Sequence, residues 1–358
     1  MDLHIVGGFL GSGKTTAIAA AARLLLGRGQ RVGVITNDQG RYLVDTAFFD
    51  ALRVPAVEVT HGCFCCNYDD LDARLEGLIA ATQPDVIFAE SVGSCADVVA
   101  TVVNPLLALR TTPASFSVFA DARLLLARLR GAALPFAEEV IYLFDQQIEE
   151  AGLLIVNKCD LLTLDEIVEI QERVKQALPG KRCRLQSVYD PAAIEGWLAA
   201  LAAGEGQPGP ALAAIDYARY GAGEAALAWL DAALRIDAGD RSAEAALAIM
   251  HGLRDRLAAA AIPIGHVKFS VGRADDGAQH KISLTTLNDA REPIALPELP
   301  SGALSLLINA RVQTDAEALR ALLGALVAEV QREFGAVVEM QAVDSFHPPT
   351  PTPRHRVI

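Results

Sequence analysis

Residues Gly8–Thr15 read GFLGSGKT, a glycine-rich run closed by a lysine and a hydroxyl residue, and that spacing suits one task, which is wrapping a chain of phosphates. Gly8, Gly11 and Gly13 let successive backbone N–H groups turn inward on an anion, with Ser12 in the loop and Thr16 in the first helical turn. Lys14 is spaced to bridge the β- and γ-phosphates, and the Thr15 hydroxyl to ligate Mg²⁺. Far downstream, Asn157–Asp160 read NKCD. A carboxylate at Asp160 accepts two hydrogen bonds from the N1–H and exocyclic amine of guanine, whereas the N1 lone pair of adenine would be repelled. Asn157 and Lys158 then buttress base and loop, and GTP is the expected nucleotide. Between these motifs DVIFAESVG ends in Glu90 with Gly93 three residues on, a D-x-x-G switch with glutamate in place of aspartate. Its carboxylate suits a magnesium-bound water and its glycine N–H the γ-phosphate. Asp38, in TNDQG, is the other acidic candidate facing the phosphates, with a turn residue before Gly40 as its plain alternative. The catalytic set is therefore Lys14, Thr15, Asp38, Glu90 and Gly93. No hydrolytic glutamine or arginine finger is assigned, although Gln39 is near enough in sequence to be considered, so slow turnover accelerated by dimerisation or a partner is expected.

A second chemistry sits at His61-Gly62-Cys63-Phe64-Cys65-Cys66. Thiolates this close can point at one ion, and Zn²⁺, Co²⁺, Ni²⁺ or Cu⁺ fit sulfur ligands. Three sulfurs leave a coordination place open, which suits an ion that must be both taken and released. Asp38, His61, a water or a second subunit can fill it, and Cys95, just past the second switch, can join. A buried cysteine patch or a redox pair are the plainer readings. Cys159 and Cys183 read as small buried residues, and His4 as a packed histidine rather than a ligand.

These residues need a scaffold. From residue 3 to about 200, short β-branched runs (Leu3–Gly7, Arg31–Thr36, Ala56–Thr60, Asp85–Ala89, Ser115–Ala120, Leu153–Asn157) alternate with helical stretches such as Thr15–Leu26 and Leu71–Ala81, the pattern of a mostly parallel sheet covered by helices. The expected class is α/β, a P-loop nucleotide-binding domain over 1–203, then a GEGQPGP-bearing linker at 204–212. Helix-like Ala243–Ala260, strand-like His266–Val271, Lys281–Thr286 and Ala303–Val312, helix-like Asp315–Phe334 and strand-like Ala336–Ala342 predict a smaller α+β domain over 213–346, with a ferredoxin-like arrangement one that fits. Glu224–Ile236 stays unassigned, since its Ala and Leu favour helix where a split βαβ unit wants a strand. The proline-rich stretch 347–358 is expected to be an extended tail.

The chain of 358 residues carries a net charge of −13, which repels phosphate backbones and anionic lipid, so nucleic acid and membrane are poor partners. No basic, apolar leader and no uncharged spanning run is apparent, and clustered thiols suit a reducing compartment, so a cytoplasmic location is expected.

Together GFLGSGKT, GCFCC, the E-x-x-G switch and NKCD resemble the CobW branch of the CobW/HypB/UreG family of P-loop GTPases, over roughly residues 1–200. The resemblance implies that Cys63, Cys65 and Cys66 of its G-C-x-C-C motif are the metal ligands. It implies a GTP-hydrolysing metallochaperone or metal-insertion factor, with a client metalloprotein or cofactor-assembly enzyme as partner and a nucleotide-dependent homodimer. Two departures stand out. Asn37-Asp38-Gln39-Gly40 replaces N-E-F-G, and ESVGSCAD replaces E-[ST]-[ST]-G-x-A-D-P, with Val92 at a hydroxyl position and Asp97 where proline is expected. The competing reading is an ATP-dependent phosphotransferase with a structural zinc site, against which NKCD argues.

Overall fold

Five of the strands in the first half are apolar on both faces, and residues of that kind are stable only where helices cover the sheet on each side. A computed structural model describes residues 1–37, 49, 52–60, 62–110, 113–274, 279–285, 294 and 302–358. It divides into two units, one of Met1–Gln39, Leu52–Gly223 and Thr350–Ile358, the other of Gly40–Ala51 and Glu224–Pro349.

In the first unit, β1 (Asp2–Gly8), β2 (Val32–Asn37), β3 (Ala56–Val59), β4 (Val86–Glu90), β5 (Ala114–Asp121), β6 (Leu153–Asn157) and β7 (Cys183–Leu185) form a seven-stranded sheet in the order β3-β2-β4-β1-β5-β6-β7. Every pairing in it is parallel. The helices that return the chain are α1 (Lys14–Gly27), α2 (Tyr68–Thr82), α3 (Asn104–Leu109), α4 (Ala122–Leu129), α5 (Glu138–Glu150), α6 (Leu164–Ala177), α7 (Pro191–Ala202) and α8 (Tyr217–Ala225). The strands expected from sequence lie within a residue or two of those observed, and β7 is an addition. The GEGQPGP stretch packs on this unit, where Phe116 N–H donates to the Gly206 carbonyl at 2.7 Å, and the boundary between units falls later, at Gly223.

The second unit runs β8 (Ala228–Asp237), α9 (Ser242–Ala259), β9 (Ile264–Arg273), β10 (Gln279–Leu284), β11 (Leu304–Val312), α10 (Ala316–Phe334), β12 (Val337–Phe346). The unassigned segment is thus a strand, and a fully buried one for most of its length. Its antiparallel sheet is ordered β10-β9-β11-β8-β12. Without the added edge strand β10, this is the split βαβ order of a ferredoxin-like sheet. Leu253 and Leu257 of α9 and Leu319, Leu323 and Leu326 of α10 close its core over Leu230, Phe269 and Ile308. Among the described residues no helix is long and apolar enough to cross a membrane.

His4, in β1, is a packed residue. Its Nδ1 lies 2.7 Å from Ser115 Oγ, its ring leans on Phe88, and burial pulls its pKa down to about 4. The folded value lies below the unfolded one near 6.5, so the unfolded chain takes up its proton first. Stability from this site is fully present above about pH 6.5 and falls by about 3 kcal/mol as the pH drops to about 4. Denaturant unfolding between pH 7 and pH 4 should show that slope, and His4→Gln should flatten it.

Candidate functional site

The carboxyl ends of the parallel strands bring the two chemistries to one edge. The phosphate loop follows β1, where φ is +127° at Gly8, +71° at Gly11 and +92° at Gly13, a left-handed geometry that glycine adopts without strain. A side chain at Gly8 would run into the Phe119 backbone, and one at Gly13 into the Asn157 amide. The loop is closed by Ser12 N–H to Phe9 O at 3.2 Å, and α1 starts at Lys14 with its amide dipoles directed at the loop. Lys14 Nζ, buried, donates to the loop carbonyls of Gly8 at 2.5 Å and Phe9 at 3.3 Å. Thr16 is half-buried one position beyond Thr15.

Thr15 Oγ1 donates to Glu90 Oε1 at 2.9 Å, both residues being buried. A hydroxyl and a carboxylate facing each other beside a glycine-rich loop are groups that could hold a magnesium ion, the one directly and the other through water. Gly93 packs on the phosphate loop so closely that an added Cβ would lie 2.7 Å from Leu10 Cδ2 and 3.1 Å from Leu10 Cα. The buried amide of Gln147 in α5 pins this switch turn, donating to the carbonyls of Gly93 at 3.1 Å and Cys95 at 2.8 Å.

At the end of β6, Asn157 is wholly buried and its Nδ2 donates to Ser12 O at 2.8 Å, so the base motif and the phosphate loop are one hydrogen-bonded piece. Lys158 takes φ +65° and its Nζ reaches Asp121 Oδ2 at 3.0 Å. Burial alone would raise the Asp121 pKa, but Lys158 and Arg123 outweigh it and hold the carboxyl below its ordinary value. Asp160 stands exposed in the short turn that follows, with its carboxylate open to a base. Asp121, at the foot of α4, was not foreseen from sequence, and an acid closing an apolar strand was the signal for it.

The cysteine loop follows β3. Asn37, the last residue of β2, holds it, donating from Nδ2 to Val59 O at 3.0 Å and Gly62 O at 2.8 Å while its Oδ1 accepts from Phe64 N–H at 2.9 Å. Cys66 and Asn67 N–H both return to Cys63 O, making the turn that gathers the thiols. Cys63 Sγ lies 2.8 Å from Cys65 Sγ and 3.0 Å from Cys66 Sγ, and Cys65 and Cys66 are 3.8 Å apart. Tetrahedral zinc, with Zn–S near 2.3 Å, spaces its sulfurs ~3.8 Å apart, so one pair already fits and Cys63 must move by about 1 Å or less. Hydrogen bonds with Cys63, Cys66 and Cys95, together with burial, hold the Cys65 thiol well above its usual pKa, and the Cys63 contact raises that of Cys66. An entering ion therefore has protons to displace. Cys159 and Cys183 stand apart and half-buried, with burial pushing their thiols up to about 11 and about 12. Asp38, Gln39 and His61 lie outside the described residues.

The C-terminal stretch is extended, as its prolines require, yet it is bound along this site. Thr352 N–H donates to Cys66 Sγ at 3.3 Å, Arg354 N–H to Cys65 O at 2.9 Å, and His355 meets the Tyr68 ring edge-on at 4.9 Å. Arg356 Nε donates to Asp97 Oδ2 at 2.8 Å, and Tyr217 Oη to the same oxygen at 2.7 Å. Asp97 is fully buried at φ +61°, a conformation closed to proline, which gives the departure from A-D-P its physical reason.

Asn37→Ala should leave Phe64 N–H and two carbonyls without partners, at about 1–3 kcal/mol. Maleimide labelling of Cys63 and Cys65 in the metal-free protein should then quicken by roughly tenfold or more.

The nucleotide-binding domain profile of the CobW/HypB/UreG family matches residues 2–184. Two curated relatives called zinc chaperone CobW are each 26% identical to this chain. That of a Sinorhizobium species aligns over 212 residues, 51% of this chain and 58% of that protein. That of Pseudomonas aeruginosa aligns over 215 residues, 50% and 54%. The chain thus spans a little over half the length of the curated relatives it matches. A solved HypB from Helicobacter pylori in complex with nickel is similar over 59% of this chain and 91% of that one, at 17% identity and a TM-score of 0.44. The matched residues, just over half of the chain, hold the phosphate loop, the sulfur loop, the switch turn and the base motif together, and the chain belongs to the CobW/HypB/UreG family.

Proposed function

We propose that this chain is a magnesium-dependent GTPase that binds a transition metal, zinc or else cobalt or nickel, and hands it to a client metalloprotein or cofactor-assembly enzyme. The observation that carries the reading is the 2.9 Å contact of Thr15 with Glu90, which sets a magnesium-type donor pair at the phosphate cradle, two strand ends from a thiol loop able to take the cargo ion. The two CobW relatives, named as zinc chaperones, support the choice of cargo.

When GTP arrives, the loop N–H groups and the amino end of α1 take its phosphates, and Lys14 exchanges two carbonyl partners for β- and γ-phosphate oxygens. Bound Mg²⁺ supplies the charge that neutralises the transferring phosphoryl group. Thr15 and Glu90 hold its shell, and Gly93 N–H reads the γ-phosphate. Asp160 accepts from the guanine edge, steadied by Asn157 and Lys158. Loss of the γ-phosphate frees Gly93, and through Gln147 the change reaches Cys95, next to the sulfur loop. A cytoplasmic location and a nucleotide-dependent homodimer belong to the same proposal.

Asp160→Asn should weaken GTP binding by about tenfold to a hundredfold, the cost of a charged hydrogen-bond pair, and erase the preference for GTP over ATP. Lys14→Ala should abolish turnover and leave zinc binding intact. Equal turnover of ATP and GTP by the unaltered protein would sink the proposal, as would failure to hold any transition metal.

A further inference from the structure

Of the three clustered thiols, Cys63 and Cys65 are each 3% exposed, so an ion or a reagent from solvent reaches the cluster through the half-buried Cys66. That approach is covered by the stretch Thr350–Ile358, which belongs to the same unit as the sulfur loop. Pro351 and Pro353 have no N–H to give, and their fixed φ keeps the stretch extended, so Thr352 and Arg354 carry the backbone donors of residues 351–354. Both donors are spent on the sulfur loop, Thr352 on Cys66 Sγ at 3.3 Å and Arg354 on Cys65 O at 2.9 Å. The Arg354–Asp69 pair beside them, at 3.5 Å with side chains 64% and 73% exposed, adds little in water. The firm hold comes two residues on. Arg356 donates from Nε to Asp97 Oδ2 at 2.8 Å and from Nη2 to Leu212 O at 2.9 Å. Asp97 is wholly buried, so loss of the guanidinium would leave its carboxylate without the cation that faces it.

We infer that residues 350–358 are a gate over the metal site, closing the solvent side of Cys66 and latched by Arg356 on Asp97. The inference rests on the metal-binding reading above and deepens it, giving that site a regulator within the chain. An extended prolyl segment loses little entropy when it is laid down and makes no structure of its own when it lifts, so it can leave and return as one piece. Arg356, with Val357 bonded through both backbone groups to Ala100 and Asn104 just beyond it, then sets how long the thiols stay covered. Asp97 closes the switch stretch ESVGSCAD, four residues past Gly93, which puts the latch in the loop that reads the γ-phosphate rather than in the sulfur loop. Opening needs no rearrangement of the three sulfurs, since Asn37 holds their loop independently through Val59, Gly62 and Phe64.

Iodoacetamide on the metal-free full chain, with each cysteine followed by peptide mass, reads the gate without any ion. Arg356→Ala should quicken labelling of Cys66 by about tenfold or more, and Arg356→Lys, which keeps the charge but not the forked pair of donors, by less. Cys183, in β7, should label at one rate in all three proteins, which shows the fold intact. In the unaltered protein, where no substitution can disturb folding, the Thr352 and Arg354 amides should exchange their hydrogens at least about tenfold more slowly than the same stretch as a free peptide. Unprotected amides overturn the gate, as does labelling of Cys66 in Arg356→Ala at the unaltered rate. Cobalt(II) uptake, followed by its sulfur charge-transfer band, should quicken in the same variant. No band in either protein, with labelling quickened, sinks the metal-binding reading and leaves the strap over the thiols standing.

Discussion

Parallel pairing of β1 to β7 is the constraint from which the rest follows. A parallel sheet makes every strand end at the same edge, and the chain must leave that edge through a loop before a helix can return it. Here the phosphate loop leaves β1, Asn37 ends β2, the sulfur loop leaves β3, Glu90 ends β4, Asp121 ends β5 and Asn157 ends β6. Residues 145 apart, such as Ser12 and Asn157, thereby come within a hydrogen bond. The sheet core takes no part in the chemistry. It fixes where six loops begin, and the loops are free to specialise.

Polar groups at that edge are largely occupied by one another. Lys14 bonds to carbonyls, Thr15 to Glu90 and Lys158 to Asp121. Each of these partners can be exchanged for a phosphate oxygen, an ion or a base with little net loss of hydrogen bonding, so ligand entry need not unfold anything. The protein stores its readiness as internal bonds of the same kind that the ligand will offer.

Much of this was legible in the residues. GFLGSGKT and NKCD carry their geometry in short spacing, and both-faced apolar runs such as Leu153–Asn157 mark buried parallel strands without help from the rest of the chain. β8 was not, because Ala and Leu favour helix and only its central place between β11 and β12 makes a strand of them. The part played by Asn37 escaped for a related reason, since its partners Val59, Gly62 and Phe64 lie on a different strand and loop. Furthest from view was the binding of the tail, in which Arg356 and Asp97 stand 259 residues apart. Local pattern says that HPPTPTPRHRVI must be extended. It says nothing of the surface on which an extended strand will lie.

That surface has a practical consequence. Thr352 and Arg354 touch the sulfur loop, and Val357 is held by both of its backbone groups, its N–H donating to Ala100 O at 2.8 Å and its carbonyl accepting from Asn104 Nδ2 at 2.8 Å. Whatever is joined after Ile358 therefore starts from a strap already threaded past the thiols. A polyhistidine handle placed there would offer imidazoles to any ion that the thiols took up, and measured metal affinities would then belong partly to the handle.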